Sequence, residues 1–237
     1  MNFIKNKLYI LLLIAYAFPL GGIGFSGLTN IISYDGNDSD YGDARTMNLN
    51  YKDNGLEQGF NLFIYFDALP SNLAIEYSKE FKYQELTSTI NFNGSEITNP
   101  SYAGRISDYF TVRKDLMDLS IPILAKVALS VGGGFNKHKY IVPSIALLYD
   151  MYNIPSGGGN LPDLFNAAEE DWDPNAVYDA LADNAMDASG LHIQCGIQAK
   201  VLMLNAFITA KYTFITKDDH NSIDSFPGFT IGLAYGI

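Results

Sequence analysis

The residues most able to do chemistry sit in a short polar stretch near the C-terminus, Asp218-Asp219-His220-Asn221-Ser222-Ile223-Asp224. A histidine two positions from a serine, with carboxylates on either side, has the composition of an acyl-transfer site, because acyl transfer needs a base beside the hydroxyl. The same residue types are ordinary loop residues, and the spacing is common, so the bland reading of a solvated loop is preferred. A second candidate is Asp171-Trp-Asp173-Pro-Asn175, which begins like a calcium loop. Position 6 of that loop would be Ala176 in place of glycine and position 12 Ala182 in place of glutamate, which excludes an EF-hand. Glu169, Glu170, Asp171 and Asp173 remain possible contacts for a cation or a partner at the surface. No metal site and no cofactor are expected. Cys195 is the single cysteine, so neither an internal disulfide nor a cysteine-based zinc cluster can form.

The third set of chemically capable residues is spread through the chain: Asp67, Glu76, Glu80, Lys82, Lys126, His192, Gln194, Gln198, Lys200 and Lys211. Each falls on the polar side of an alternating stretch. The clearest such stretch runs from Leu191, where Leu191, Ile193, Cys195, Ile197, Ala199 and Val201 alternate with His192, Gln194, Gly196, Gln198 and Lys200. One face is apolar and the other polar or small, over the 9–11 residues that a tilted strand needs to cross a bilayer. At the C-terminus Phe229, Ile231, Leu233, Tyr235 and Ile237 alternate with Thr230, Gly232, Ala234 and Gly236. Small residues are what the crowded interior of a narrow barrel demands.

The elements that position these side chains are eight strands, read at 22–33, 57–68, 73–92, 108–132, 139–151, 190–203, 205–216 and 227–237. A turn is placed at Asn136-Lys137-His138-Lys139, which would leave His138 solvated, and Leu204-Asn205 is read as the link between the sixth and seventh strands. The connections alternate between long (34–56, 93–107, 152–189) and short, with a medium one at 217–226. Long loops at one end and tight turns at the other describe an antiparallel up-and-down transmembrane β-barrel, an all-β fold. A β-sandwich has no reason to place every long loop at one end. Within 152–189, Pro174 at a first helical position, after Asp173 as N-cap, predicts a helix in an otherwise extracellular acidic loop.

At the N-terminus Lys5 and Lys7 precede the apolar run Leu8 to Ile14, and Ala15-Tyr16-Ala17 has the small-x-small cleavage pattern. Seven strongly apolar residues are too few for a membrane helix. Residues 1–17 are therefore read as a signal peptide and 18–237 as the barrel, exported to a bacterial outer membrane. Net charge is −11, from 15 basic against 26 acidic residues, which argues against nucleic acid as a partner. Outer-membrane lipid, lipopolysaccharide and a protein that meets the acidic loops are the partners expected.

Given this pattern, the chain resembles the small eight-stranded outer-membrane barrels of the OmpA/OmpX and PorT-like type. The resemblance rests on Leu119-Ser-Ile-Pro-Ile-Leu-Ala-Lys126, on Lys139-Tyr-Ile-Val, and on the C-terminal alternating strand. Such barrels usually end in an aromatic residue, whereas this chain has Tyr235 two residues before Ile237. The resemblance implies architecture and no single activity. A structural, adhesive or partner-binding role through the acidic loops is the function expected, without catalysis. A small pore or a conduit for apolar ligands is the alternative, and a lipid-modifying enzyme centred on 217–226 the weaker one. Charges enclosed in so narrow a barrel must pair, so the lumen is read as a salt-bridged plug more than an open channel.

Overall fold

A computed structural model describes residues 21–34, 37–39, 47–53, 55–92, 95–121, 125–151, 174–218 and 223–236. The signal-peptide stretch 1–17, the acidic cluster Glu169 to Asp173, and His220 and Ser222 lie outside the described residues.

The described strands are β1 (Gly21–Asn30), β2 (Asn37–Ser39), β3 (Met47–Asp53), β4 (Glu57–Leu69), β5 (Leu73–Phe92), β6 (Ser95–Ile121), β7 (Ala125–Ile141), β8 (Met186–Val201), β9 (Leu204–Asp218) and β10 (Phe226–Gly236). Helices α1 (Ile145–Met151) and α2 (Pro174–Asp183) lie between β7 and β8. All pairings are antiparallel, in the order β5-β4-β1-β10-β9-β8-β7-β6, and β6 pairs back onto β5. That last pairing closes a ring of eight strands. Closure satisfies every strand edge, the only way a sheet can cross hydrocarbon without orphaned backbone groups.

Burial is inverted relative to a soluble protein. Ile23, Phe25, Leu62, Ile64, Ile193, Ile197, Ile208, Ile231 and Leu233 point outward and are exposed, while Glu80, Lys82, Arg105, Arg113, His138 and His192 are buried. The alternation puts one residue in each pair on the outer wall, and that wall is apolar because its solvent is lipid.

Short turns fall at one end. Leu69 pairs with Leu73 around Pro70–Asn72, where Ser71 and Asn72 have φ of 65° and 58°. Val201 pairs with Leu204, so the turn of this hairpin is Leu202-Met203, with Leu202 at φ 56°, and Leu204 and Asn205 already belong to β9. This moves the expected link by two residues.

The middle of the chain departs most from the sequence reading. The expected fourth strand, 108–132, is two strands: β6 runs to Ile121, β7 starts at Ala125, and those two residues pair. Apolar side chains on both sides of the reversal hid it. The expected turn at 136–139 is the interior of β7, with Asn136 and His138 inward and buried and Lys137 and Lys139 outward and exposed. Polar residues on both faces look like a turn, but here one face meets a polar lumen and the other the aqueous end of the wall. Residues 145–151, expected as strand, form α1. The predicted helix at Pro174 is present as α2.

From Ser95 onward the expected loop 93–107 is also strand. β5 and β6 continue as a hairpin, pairing Gln84 with Ala103 up to Phe92 with Ser95, beyond the last β4 partner (Tyr83) and the last β7 partner (Gly104). On the edge that β4 leaves, β3 pairs from Asp53 opposite Leu86 to Met47 opposite Phe92, and β2 pairs with β3. A four-stranded sheet, β2-β3-β5-β6, thus stands above the ring by roughly 25 Å of strand at ~3.3 Å per residue. Its threonines and serines suit a water-exposed sheet; Thr89 and Thr98 hydroxyls pair at 3.2 Å.

Candidate functional site in the barrel lumen

The lumen is filled in three layers. At the turn end, Asp67 near the end of β4, Gln198 and Lys200 near the end of β8, and Asn205 at the start of β9 converge on Arg113 of β6. Arg113 Nη2 donates to Asp67 Oδ1 at 3.0 Å and to Gln198 Oε1 at 3.2 Å, and Nη1 donates to Glu76 Oε2 at 3.4 Å. Lys200 Nζ donates to Asp67 Oδ2 at 2.7 Å, and Gln198 Nε2 to Asn205 Oδ1 at 3.2 Å. Phe63, Tyr65 and Phe207 pack edge to face beside them, and the Arg113 guanidinium lies 5.4 Å from the Phe207 ring centre. Gly24 makes room for this cluster: a Cβ there would sit 2.2 Å from the Phe63 ring. Further toward the turns, Lys126 pairs with Asp115 at 2.7 Å.

The central layer is built on Glu80, which accepts from Lys82 at 2.6 Å and from Lys211. The Lys211 ammonium is 3.3 Å from the Tyr109 ring centre. Thr111 Oγ1 and His192 Nε2 are hydrogen-bonded at 2.9 Å, and Tyr109 meets the Thr213 hydroxyl at 3.2 Å. Gln194 is half-buried on the same face of β8 as His192.

At the loop end, Glu57 is fully buried and accepts from Asn30 (2.6 Å), Tyr34 (2.9 Å) and Arg105 Nε (2.8 Å), with Arg105 Nη2 as a further donor. The guanidinium lies 4.2 Å from the Phe226 ring centre. His138 is held by Ser107 at 2.7 Å and Asn136 at 2.8 Å. Above this layer the loop ends of the strands contribute an apolar cap: Ile32, Tyr34, Leu86, Ala103, Tyr140, Val142, Ala188, Ile223 and Phe226.

The sequence-derived candidates thus occupy the turn-end and central layers, but Glu57, Arg105, Arg113, Tyr109 and His138 were missed. The sequence reading puts Arg105 in a loop, Glu57 at the first position of a strand but not among its inward residues, and His138 in a turn. The available clue was the continuing alternation Ala103, Arg105, Ser107, Tyr109, Thr111, Arg113, in which every second residue is buried. With Arg105, Arg113, Glu57 and Asp115 added, the two signs remain nearly balanced.

Asp218, a carboxylate flanking the suspected acyl-transfer stretch, accepts from the Tyr140 hydroxyl at 2.6 Å and from the Ile223 N–H at 3.0 Å. Both of its oxygens are occupied in tethering the last loop to the cap. Among the described residues no group of acidic, histidine and cysteine side chains could hold a metal ion.

No protein-family model matches the sequence, and no curated protein matches it. Among solved structures it is similar to Ail, the attachment invasion locus protein of Yersinia pestis, solved with the heparin analogue sucrose octasulfate. Identity is 10%, covering 92% of this chain and 97% of that one, with a TM-score of 0.43. OprG from Pseudomonas aeruginosa is 10% identical over 92% of this chain and 96% of its own, with a TM-score of 0.47. Neisserial surface protein A is 9% identical over 91% and 97%, with a TM-score of 0.39. At these values the conclusion rests on the molecule itself. A closed antiparallel ring with an apolar outer wall, a polar interior and tight turns at one end is a barrel of the bacterial outer membrane.

Proposed function

We propose that this protein is a sealed, non-enzymatic barrel that acts at the cell surface, as an adhesive, structural or partner-binding protein. The observation that carries the reading is the apolar cap over a charge-paired lumen. An ion or solute entering from the loop side would have to displace Tyr34, Tyr140 and Phe226 before it met the Glu57–Arg105 pair. The β2-β3-β5-β6 sheet stands above the ring, and the acidic stretches of the sequence connect strand ends on that same side. Asp35 to Asp43 and Glu169 to Asp173 suit a partner with a basic surface. Residues 1–17 serve as a cleaved export signal in this reading, so the mature chain starts at Phe18.

Planar-bilayer recording of the refolded protein tests the sealed state. The expected result is the absence of discrete conductance steps. Steady ohmic conductance with size selectivity would overturn it in favour of a small pore.

A further inference from the structure

We infer that the outer wall of β5 and β6 is the contact face of a homodimer within the membrane, centred on the ion pair of Lys79 and Asp108. The inference is independent of whether the lumen is sealed.

Lys79 Nζ donates to Asp108 Oδ1 at 3.2 Å, and the Tyr77 hydroxyl donates to the same oxygen. These side chains lie on the outward face, and the two charged ones are 42% and 40% exposed. Their surroundings are apolar. On β5 the outward neighbours of Lys79 are Tyr77 toward the turns and Phe81 and Tyr83 toward the loops. On β6 the outward neighbours of Asp108 are Phe110 and Val112 toward the turns and Ile106 toward the loops. Leu62 of β4 is in register with Lys79 on its other side.

Lys137 of β7 is in register with Asp108 but stands higher in the wall, because the strands tilt. Following the register from Leu73 through β6, β7, β8, β9, β10, β1 and β4 returns to β5 at Tyr83. Each step in that direction therefore climbs toward the loops. The ion pair lies inside the apolar band, and Lys137 lies at its rim. On the opposite side of the ring the outward residues Ala206, Ile208, Ala210, Tyr212 and Phe214 of β9 carry no charge. Nor do Phe229, Ile231, Leu233 and Tyr235 of β10.

A charge on the lipid side of a barrel is costly within that band. Pairing two charges lowers the cost without replacing the water they lost. A protein cover that adds charge-assisted hydrogen bonds offsets more of it. The arrangement selects a second copy of this chain as that cover. Two copies inserted in the same direction share a twofold axis only if it runs along the bilayer normal. Such an axis between β5 and β6 exchanges left and right at constant height. Lys79 then meets Asp108 of the partner subunit, and Asp108 meets Lys79 of the partner subunit, so four charges of alternating sign close on one another. An ammonium has three donors and a carboxylate about four acceptor sites, which leaves capacity for both contacts. A lipid phosphate would meet the Asp108 carboxylate, and an acyl chain would leave both charges unsolvated.

The test uses the refolded mature protein in phosphatidylcholine vesicles, with Cys195→Ala to remove the natural thiol. Ile106→Cys, beside the proposed axis, and Ile231→Cys, on the opposite wall, are each oxidised with copper phenanthroline. Ile106→Cys should give several times more disulfide-linked dimer than Ile231→Cys. Exchanging the charges, Lys79→Asp with Asp108→Lys, keeps the ion pair within each barrel. With Ile106→Cys, the exchanged chain should cross-link to itself as the parent does. It should cross-link about tenfold less to a size-tagged parent, because like charges then face each other. Equal cross-linking at 106 and 231, the result if lipid or a different protein covers the pair, would overturn the inference. So would a mixture of exchanged and parent chains that cross-links as well as either alone.

Discussion

Glu57 and Arg105 are 48 positions apart in the chain and meet beneath the apolar cap, where Arg105 Nε donates to Glu57 Oε1 at 2.8 Å. Both side chains are fully buried. Removing one partner leaves the other as an uncompensated buried charge, which typically costs about 3–5 kcal/mol. Arg105→Met should therefore destabilise the barrel by about that amount in urea unfolding from detergent. The double variant Glu57→Gln, Arg105→Met should recover much of the loss. A double variant no more stable than the single one would show that the pair is not the origin of the effect.

Arg113 predicts an effect on stability that is separate from sealing. It binds Asp67, Glu76 and Gln198 at once and covers the Phe207 ring. Arg113→Ala removes the side chain that spans the turn-end layer and takes away the ion pair of Glu76, while Lys200 still holds Asp67. Stability should fall by about 3 kcal/mol or more. The central and loop-end layers stay intact, so bilayer recordings should remain silent.

The outer wall should respond to charge according to depth. Ile208 sits midway along the outward face of β9, and Ile208→Arg should cost about 2–4 kcal/mol. Thr216, near the loop end of the same strand, should tolerate Arg for about 0–1 kcal/mol. Equal costs at the two positions, measured by unfolding from lipid vesicles, would contradict the placement of the bilayer along β9.

Leu202 holds φ 56° in the two-residue turn between β8 and β9. A left-handed backbone costs a β-carbon residue roughly 1–2 kcal/mol, which glycine avoids and asparagine reduces. Leu202→Gly or Leu202→Asn should raise stability by about 1 kcal/mol and leave the strand register unchanged.

For the stretch at 217–226, Ser222→Ala should leave the acylation of lipopolysaccharide unchanged when the protein is expressed in cells. A change in lipid A acyl-chain number, read by mass spectrometry, would revive the enzymatic reading.

What the amino-acid sequence determined by itself is the local period. Strands β4, β5, β8, β9 and β10 were legible within a few residues, because an outward apolar residue at every second position is a property of the segment alone. The same period named Glu80, Lys82, His192, Gln198, Lys200 and Lys211 as inward. It failed where lipid ceases to be the solvent. Above the membrane, serines, threonines and asparagines interrupt the apolar residues of the β5 and β6 hairpin, so no unbroken apolar stripe reports it, and in β7 lysines replace apolar residues on the outer wall. Between Ile121 and Ala125 the reverse holds, since apolar residues flank a turn. Tertiary structure alone decided which charges meet. Arg105 finds Glu57, and Lys211 finds Glu80 across 131 positions, because ring closure and register bring distant inward residues to one level. A charge enclosed at that level must take as partner whatever the facing strands present.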